Sequence, residues 1–226
     1  LPLSEKSKIA VAGPMADSRE EMLGSWSALG KAEECVAPIE GIKKYVDVPF
    51  AGGCSLIGSE SNFDEVTQAA SDADTVVAFI GEPRDMNGEG KSRTSNTIPG
   101  EQINLLRHIK SLGKKLVSVV IAGRPVVLSE VVELSDAVLF SGALGNEAGN
   151  AYADILFGKQ NPSGKLVNTF PTKVGQAPLY YNHNNTGKPP VEEFFWTSKY
   201  IDAPIKPLFP FGYGLSYTEF EYSDME

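Results

Sequence analysis

Five short runs of apolar and β-branched residues, most of them closed by glycine, recur along the first two thirds of the chain and restrict what it can fold into. They are KIAVAG at 8–13, VDVPF at 46–50, TVVAFIG at 75–81, KLVSVVIAG at 115–123 and DAVLFSG at 136–142. Runs of this length bounded by turn residues read as β-strands. Several are apolar at nearly every position, which marks strands covered on both faces, as in a parallel sheet between helices.

The segments between them carry helical signals. Ser61 is suited to cap a helix bearing Phe63, Val66 and Ala70, with Asp64 and Glu65 in the first turn, where the helix dipole favours anions. Pro99 is expected to open the next, with Ile103, Leu106 and Ile109 on its inner face and Gly113 as its stop. A third is expected over 146–157, ended by Gly158. Repeated βαβ units predict an α/β fold, a three-layer sandwich with a mostly parallel sheet covered by helices on both faces. The core spans about 8–160. Beyond it, eight prolines from Pro162 to Pro210 alternate with Phe, Tyr and Trp. That texture predicts an ordered wrapping tail over 161–226, because disordered segments are poor in aromatics.

Composition narrows the function. With 42% hydrophobic residues the chain can fill a core, and a formal charge of -9 repels phosphate backbones and anionic lipid surfaces, so nucleic acid is not an expected partner. The longest apolar run, 116–122, is far short of the ~18 residues of a membrane span. Cys35 and Cys54 either pair in an oxidising compartment or stand as buried thiols. With His108 and His183 remote from both, no metal site or cofactor is expected. Gly142, Gly145 and Gly149 follow a strand, but their spacing is not the G-x-G-x-x-G of dinucleotide binding. No charged and apolar leader precedes Leu1 and there is no initiator Met, so the start reads as a boundary or a cut.

Five stretches, in the right order, resemble the second domain of glycoside hydrolase family 3. They are IAVAGPMADSREEMLGSWS at 9–27, GEPRDMNGEGKSRTSNTIPG at 81–100, GNEAGNAYADILFG at 145–158, NPSGKLVNTFP at 161–171 and PLFPFGYGLSYTEFEYS at 207–223. The sequence departs from the commoner family form at Leu144, where a Pro is usual, and at Ala148, where a Gly is usual. The resemblance implies one domain of a larger β-glucosidase-like enzyme acting on β-glucosides or oligosaccharides. A barrel domain of the same parent chain would precede it, carrying the nucleophilic Asp and most glucose contacts, and a fibronectin-type III-like domain often follows. Periplasmic or secreted localisation is implied as well. Without the barrel, this chain alone should be inactive.

Retaining glycosidases use two carboxyl groups about 5–5.5 Å apart, a nucleophile and an acid/base. The N-G-E-G-K-S-R match identifies Glu89 as the acid/base, on a polar loop after the strand that ends at Gly81. Glu82, closer to the strand end, is its rival. Trp26, in LGSWS, matches a tryptophan that stacks on the sugar in the leaving-group subsite, against the alternative of a core side chain. Arg93 is grouped with it on the substrate side, as an organiser of the loop or a contact to the barrel, against the alternative of a surface ion pair. Asp17 is expected to cap a short helix, and Asp85 and His183 carry no role beyond loop polarity. The competing function is a structural or carbohydrate-binding domain with no catalytic residue, for which a carboxyl at position 89 would be unnecessary.

Overall fold

The computed structural model describes residues 1–224. Strands β1 (Ile9–Ala12), β2 (Phe50–Ala51), β3 (Thr75–Gly81), β4 (Lys115–Ile121) and β5 (Ala137–Ser141) form one sheet in the order β2-β1-β3-β4-β5. Every pairing is parallel, so the sheet is parallel throughout rather than mostly. Helices α1 (Glu20–Leu23), α2 (Pro38–Lys43), α3 (Phe63–Ala69), α4 (Gln102–Ser111), α5 (Ser129–Leu134) and α6 (Ala148–Leu156) supply the outer layers.

Strand alternation divides the interior into two cores. Val11, Val77, Phe79, Val119 and Ile121 pack with Ile39 and Ile42 of α2 and with Tyr152 and Leu156 of α6. Ala12, Ala78, Ile80 and Val120 pack on the other face with Val66 of α3, Leu105, Leu106 and Ile109 of α4 and Val131 of α5. This is the three-layer α/β sandwich. Cys35 belongs to the first core and Cys54 packs against the second, so the sheet separates them. Both are free thiols, and burial pushes that of Cys54 up to about 11.

Of Gly142, Gly145 and Gly149, which follow β5, Gly149 is the one that a close backbone approach requires, since a Cβ on Gly142 or Gly145 would meet nothing within 4 Å. A Cβ on Gly149 would lie 2.2 Å from the carbonyl oxygen of Ala37, and one on Gly41 would lie 1.9 Å from that of Gly149. The two glycines let α2 and α6 touch backbone to backbone.

Several expected boundaries shift. The run at 46–50 contributes only Phe50 to a strand, β2, because Val46 and Val48 pack into the first core from outside the sheet. Asn62, not Ser61, precedes α3, and its side-chain amide donates to Glu65 Oε1 at 2.5 Å instead of capping the backbone. Pro99 precedes a turn at Gly100 and Glu101, after which α4 begins at Gln102. Asp17 is exposed, and Ser18 Oγ is the group that accepts the N–H of Glu21, at 3.4 Å. Gly113 and Gly158, with φ of 72° and 70°, do follow the ends of α4 and α6.

The tail lies against the sandwich. Phe170 is buried in the second core, where its N–H donates to the carbonyl of Phe209 at 2.8 Å, and Tyr217 Oη donates to the carbonyl of Ile155 at 2.9 Å. Much of its aromatic surface stays exposed, Phe195 and Trp196 included. Among the described residues no helix is long and apolar enough to cross a membrane.

Candidate active site

The connections from the neighbouring strands β1 and β3 leave toward opposite faces of the sheet, to α2 and α4. Such a switch point, at the carboxyl ends of parallel strands, is where open α/β sheets bind ligands. The connection from β1 holds Trp26 and the one from β3 holds Glu89.

The second loop is built on Glu82, the first residue after β3, whose N–H extends the ladder by donating to the carbonyl of Ile121 at 2.9 Å. Its side chain has 0% exposure and meets two guanidinium groups. Arg93 Nη1 donates to Oε1 at 2.8 Å, and Arg124 Nε lies 3.0 Å from Oε1 and 3.1 Å from Oε2. Buried carboxylates persist where paired and hydrogen-bonded in this way. Glu82 is therefore an anchor inside the fold, with no free carboxyl to present to a substrate.

Arg124 continues past Glu82 into the loop. Its Nη2 donates to the carbonyls of Met86, at 2.5 Å, and Lys91, at 2.9 Å. Between those residues the chain makes a tight turn, with the N–H of Lys91 donating to the carbonyl of Gly88 at 3.3 Å. Gly90, at φ 72°, supplies the positive φ that a type II turn needs at its third position. Glu89 stands at the second position, exposed to solvent.

Asn87 fastens the other side. It is buried, its Nδ2 donates to the carbonyl of Pro83 at 3.1 Å, and its Oδ1 accepts from Ser25 Oγ at 3.2 Å. Ser25 thereby brings Trp26 to the turn: a Cβ on Gly88 would lie 3.7 Å from the indole Nε1. Trp26 is 75% exposed and is not a core side chain. The turn thus carries an exposed carboxyl at Glu89 and has an exposed indole against Gly88, groups of the kinds that exchange a proton with a glycosidic oxygen and stack on a pyranose.

The remaining polar groups serve the frame. Arg93 Nη2 donates to the carbonyl of Thr97 at 3.1 Å, so this guanidinium is engaged by Glu82 and the far end of the loop. Asp85 is exposed and lies 3.4 Å from Lys91 Nζ, while His183 is exposed in the tail. Glu21 Oε2 accepts the N–H of Arg84 at 2.5 Å, and burial pushes its carboxyl above the ordinary range. Below the loop, a crevice lined by Glu21, Glu82, Arg84 and Asn87 has room for little more than a water molecule. The site is thus an open shelf. The sequence patterns do not single out Arg124, Asn87 or Ser25, and the one signal Arg124 offers is a charge just beyond an apolar run.

Residues 1–217 match the family described as the glycosyl hydrolase family 3 C-terminal domain. The chain is 42% identical to the periplasmic beta-glucosidase of Salmonella typhimurium, over 100% of this chain and 33% of that protein. It is 34% identical to a beta-xylosidase of Formosa agariphila, over 98% of this chain and 31% of that one. The beta-glucosidase of Listeria innocua, solved in complex with isofagomine, superposes with a TM-score of 0.90 at 37% identity, covering 98% of this chain and 31% of that one. The chain spans about a third of the length of the curated relatives it matches.

Proposed function

Since the chain belongs to glycosyl hydrolase family 3, as that family's C-terminal domain, we propose that it supplies the acid/base carboxyl and the leaving-group subsite of a retaining, exo-acting β-glucosidase-type enzyme. Glu89 is the acid/base. The nucleophile belongs to a barrel domain of the parent chain, which is this domain's partner and holds most of the glucose pocket.

In the first step the barrel carboxylate attacks the anomeric carbon while Glu89 gives its proton to the departing glycosidic oxygen. In the second, the Glu89 carboxylate takes a proton from the water that opens the glycosyl-enzyme. Trp26 stacks on the leaving-group sugar. Arg93 acts on the substrate side through the loop it braces rather than by donating to the sugar. The observation that carries this reading is the exposed Glu89 at the tip of a turn whose backbone is fastened on both sides, with an exposed indole against Gly88 of the same turn. A merely structural or sugar-binding domain has no use for a carboxyl held in that way.

On this reading the 226-residue chain alone does not turn over aryl β-glucosides, because the nucleophile is elsewhere. The Salmonella typhimurium relative is described as periplasmic, and the parent enzyme is assigned to the periplasm or the cell exterior. The test is azide rescue in the full-length parent carrying Glu89→Ala. Azide needs no base, so with a dinitrophenyl glucoside it should restore turnover and yield β-glucosyl azide. Unchanged turnover and no azide product would remove Glu89 from the acid/base role.

A further inference from the structure

The geometry points to Arg124, seated on Glu82, as the positioning residue that fixes the Glu89 carboxyl relative to the leaving group. The inference rests on the acid/base reading of Glu89 and goes beyond it by saying what holds that group in place.

A general acid must sit within hydrogen-bond reach of the oxygen it protonates, and a displacement of about 1 Å can cost on the order of 10²-fold in rate. Glu89 stands on an exposed turn between Gly88 and Gly90, the two residues least able to restrain a backbone. Something else must supply the rigidity. Arg124 Nη2 closes the base of the turn by binding the carbonyls of Met86 and Lys91, which leaves only residues 87–90 outside the clamp.

The clamp is tied to the rigid part of the fold. Gly81 and Ile121 pair at the ends of β3 and β4, so Glu82, one residue on, and Arg124, three residues on, emerge side by side. The buried Glu82 carboxylate holds Nε of the guanidinium, and Nη2 is left to reach the loop. Only a planar fork does both at once; a lysine offers a single point of attachment. A buried ion pair is in itself weak evidence for stabilisation. What sets this one apart is that Nη2 of the same guanidinium grips the carbonyls on either side of the acid.

The experiment compares Arg124→Lys, Glu89→Ala and the double variant in the full-length parent enzyme. The readout is kcat/KM for cellobiose, which needs the proton, and for a dinitrophenyl glucoside, which does not. Arg124→Lys should lower the cellobiose value roughly 10- to 100-fold and the dinitrophenyl value less than about 3-fold. On cellobiose the double variant should be no slower than Glu89→Ala, since a misplaced acid and a missing one fail by the same route. Equal losses on the two substrates, or losses that multiply in the double variant, would overturn the proposal and leave the reading of Glu89 standing. Equal losses from Glu89→Ala itself would take down both. Should Arg124→Lys fail to fold, Glu82→Gln removes the charge that seats Arg124 and must reproduce the same substrate split. If neither variant folds, the cluster is a stability element and the proposal fails.

Discussion

Arg124 Nε lies 3.0 Å from Glu82 Oε1, and the Glu82 side chain has 0% exposure to solvent. A carboxylate so buried is tolerated because two guanidinium groups and their hydrogen bonds replace its water. Removing it strands Arg93 and Arg124, which are themselves only partly exposed. Glu82→Ala should therefore lower the unfolding free energy of the 226-residue chain by about 3 kcal/mol, the low end for breaking a buried pair. Urea denaturation of the purified chain measures it. A loss below about 1 kcal/mol, the value of a surface pair, would contradict the anchoring role.

Glu21 gives a pH-dependent counterpart. Burial raises its pKa, the hydrogen bond from the Arg84 N–H opposes the rise, and Glu20 and Asp85 add to it. The native state thus holds this proton more tightly than the unfolded chain does. The stability it contributes is present in full below the unfolded pKa of about 4.3 and is lost as pH rises through the elevated native value. Glu21→Gln keeps a carbonyl to accept from Arg84 and removes the charge. It should raise Tm at pH 7 and leave it unchanged near pH 3.5. A Tm gain of the same size at both pH values, or none at pH 7, would count against this account.

Trp26 is 75% exposed, so Trp26→Ala should leave the melting temperature of the isolated chain within a degree or two. In the parent enzyme it should weaken an inhibitor that fills the leaving-group subsite by about 1 kcal/mol, or several-fold in Ki. Calorimetry on the chain and inhibition kinetics on the parent separate the two effects. Unfolding without an effect on inhibitor binding would reverse the assignment.

The parts of the fold that could be read in the sequence are those where one physical rule dominates. β3 and β4 are legible because nearly every residue is apolar, as a doubly covered strand demands. β2 is shorter than its sequence pattern implies because Val46 and Val48 satisfy that pattern while burying themselves from irregular backbone beside the sheet. α2 is hard to read in the sequence, being six residues long with a glycine inside, although Pro38 at its first position is a start signal and Glu40 accepts the Ala37 N–H at 2.8 Å. At the site, Glu89 and Trp26 stood out only through the family resemblance, since composition treats them as one acid and one aromatic among many. The Glu82 and Arg124 contact lies 42 residues apart in sequence and exists only because β3 and β4 are neighbours. No local pattern encodes that.

The proposed acid/base role of Glu89 is tested by how the effect of removing it depends on the leaving group. A sugar or alkyl alkoxide cannot depart without a proton, whereas dinitrophenolate can. In the full-length parent, Glu89→Ala should lower kcat/KM for cellobiose roughly 10²- to 10⁴-fold and hardly change it for the dinitrophenyl glucoside. With the latter substrate, the base needed for the second step is missing too, so the glycosyl-enzyme should accumulate after a burst of dinitrophenolate. Equal losses on both substrates with no burst would contradict the account and assign Glu89 to the structure of the loop.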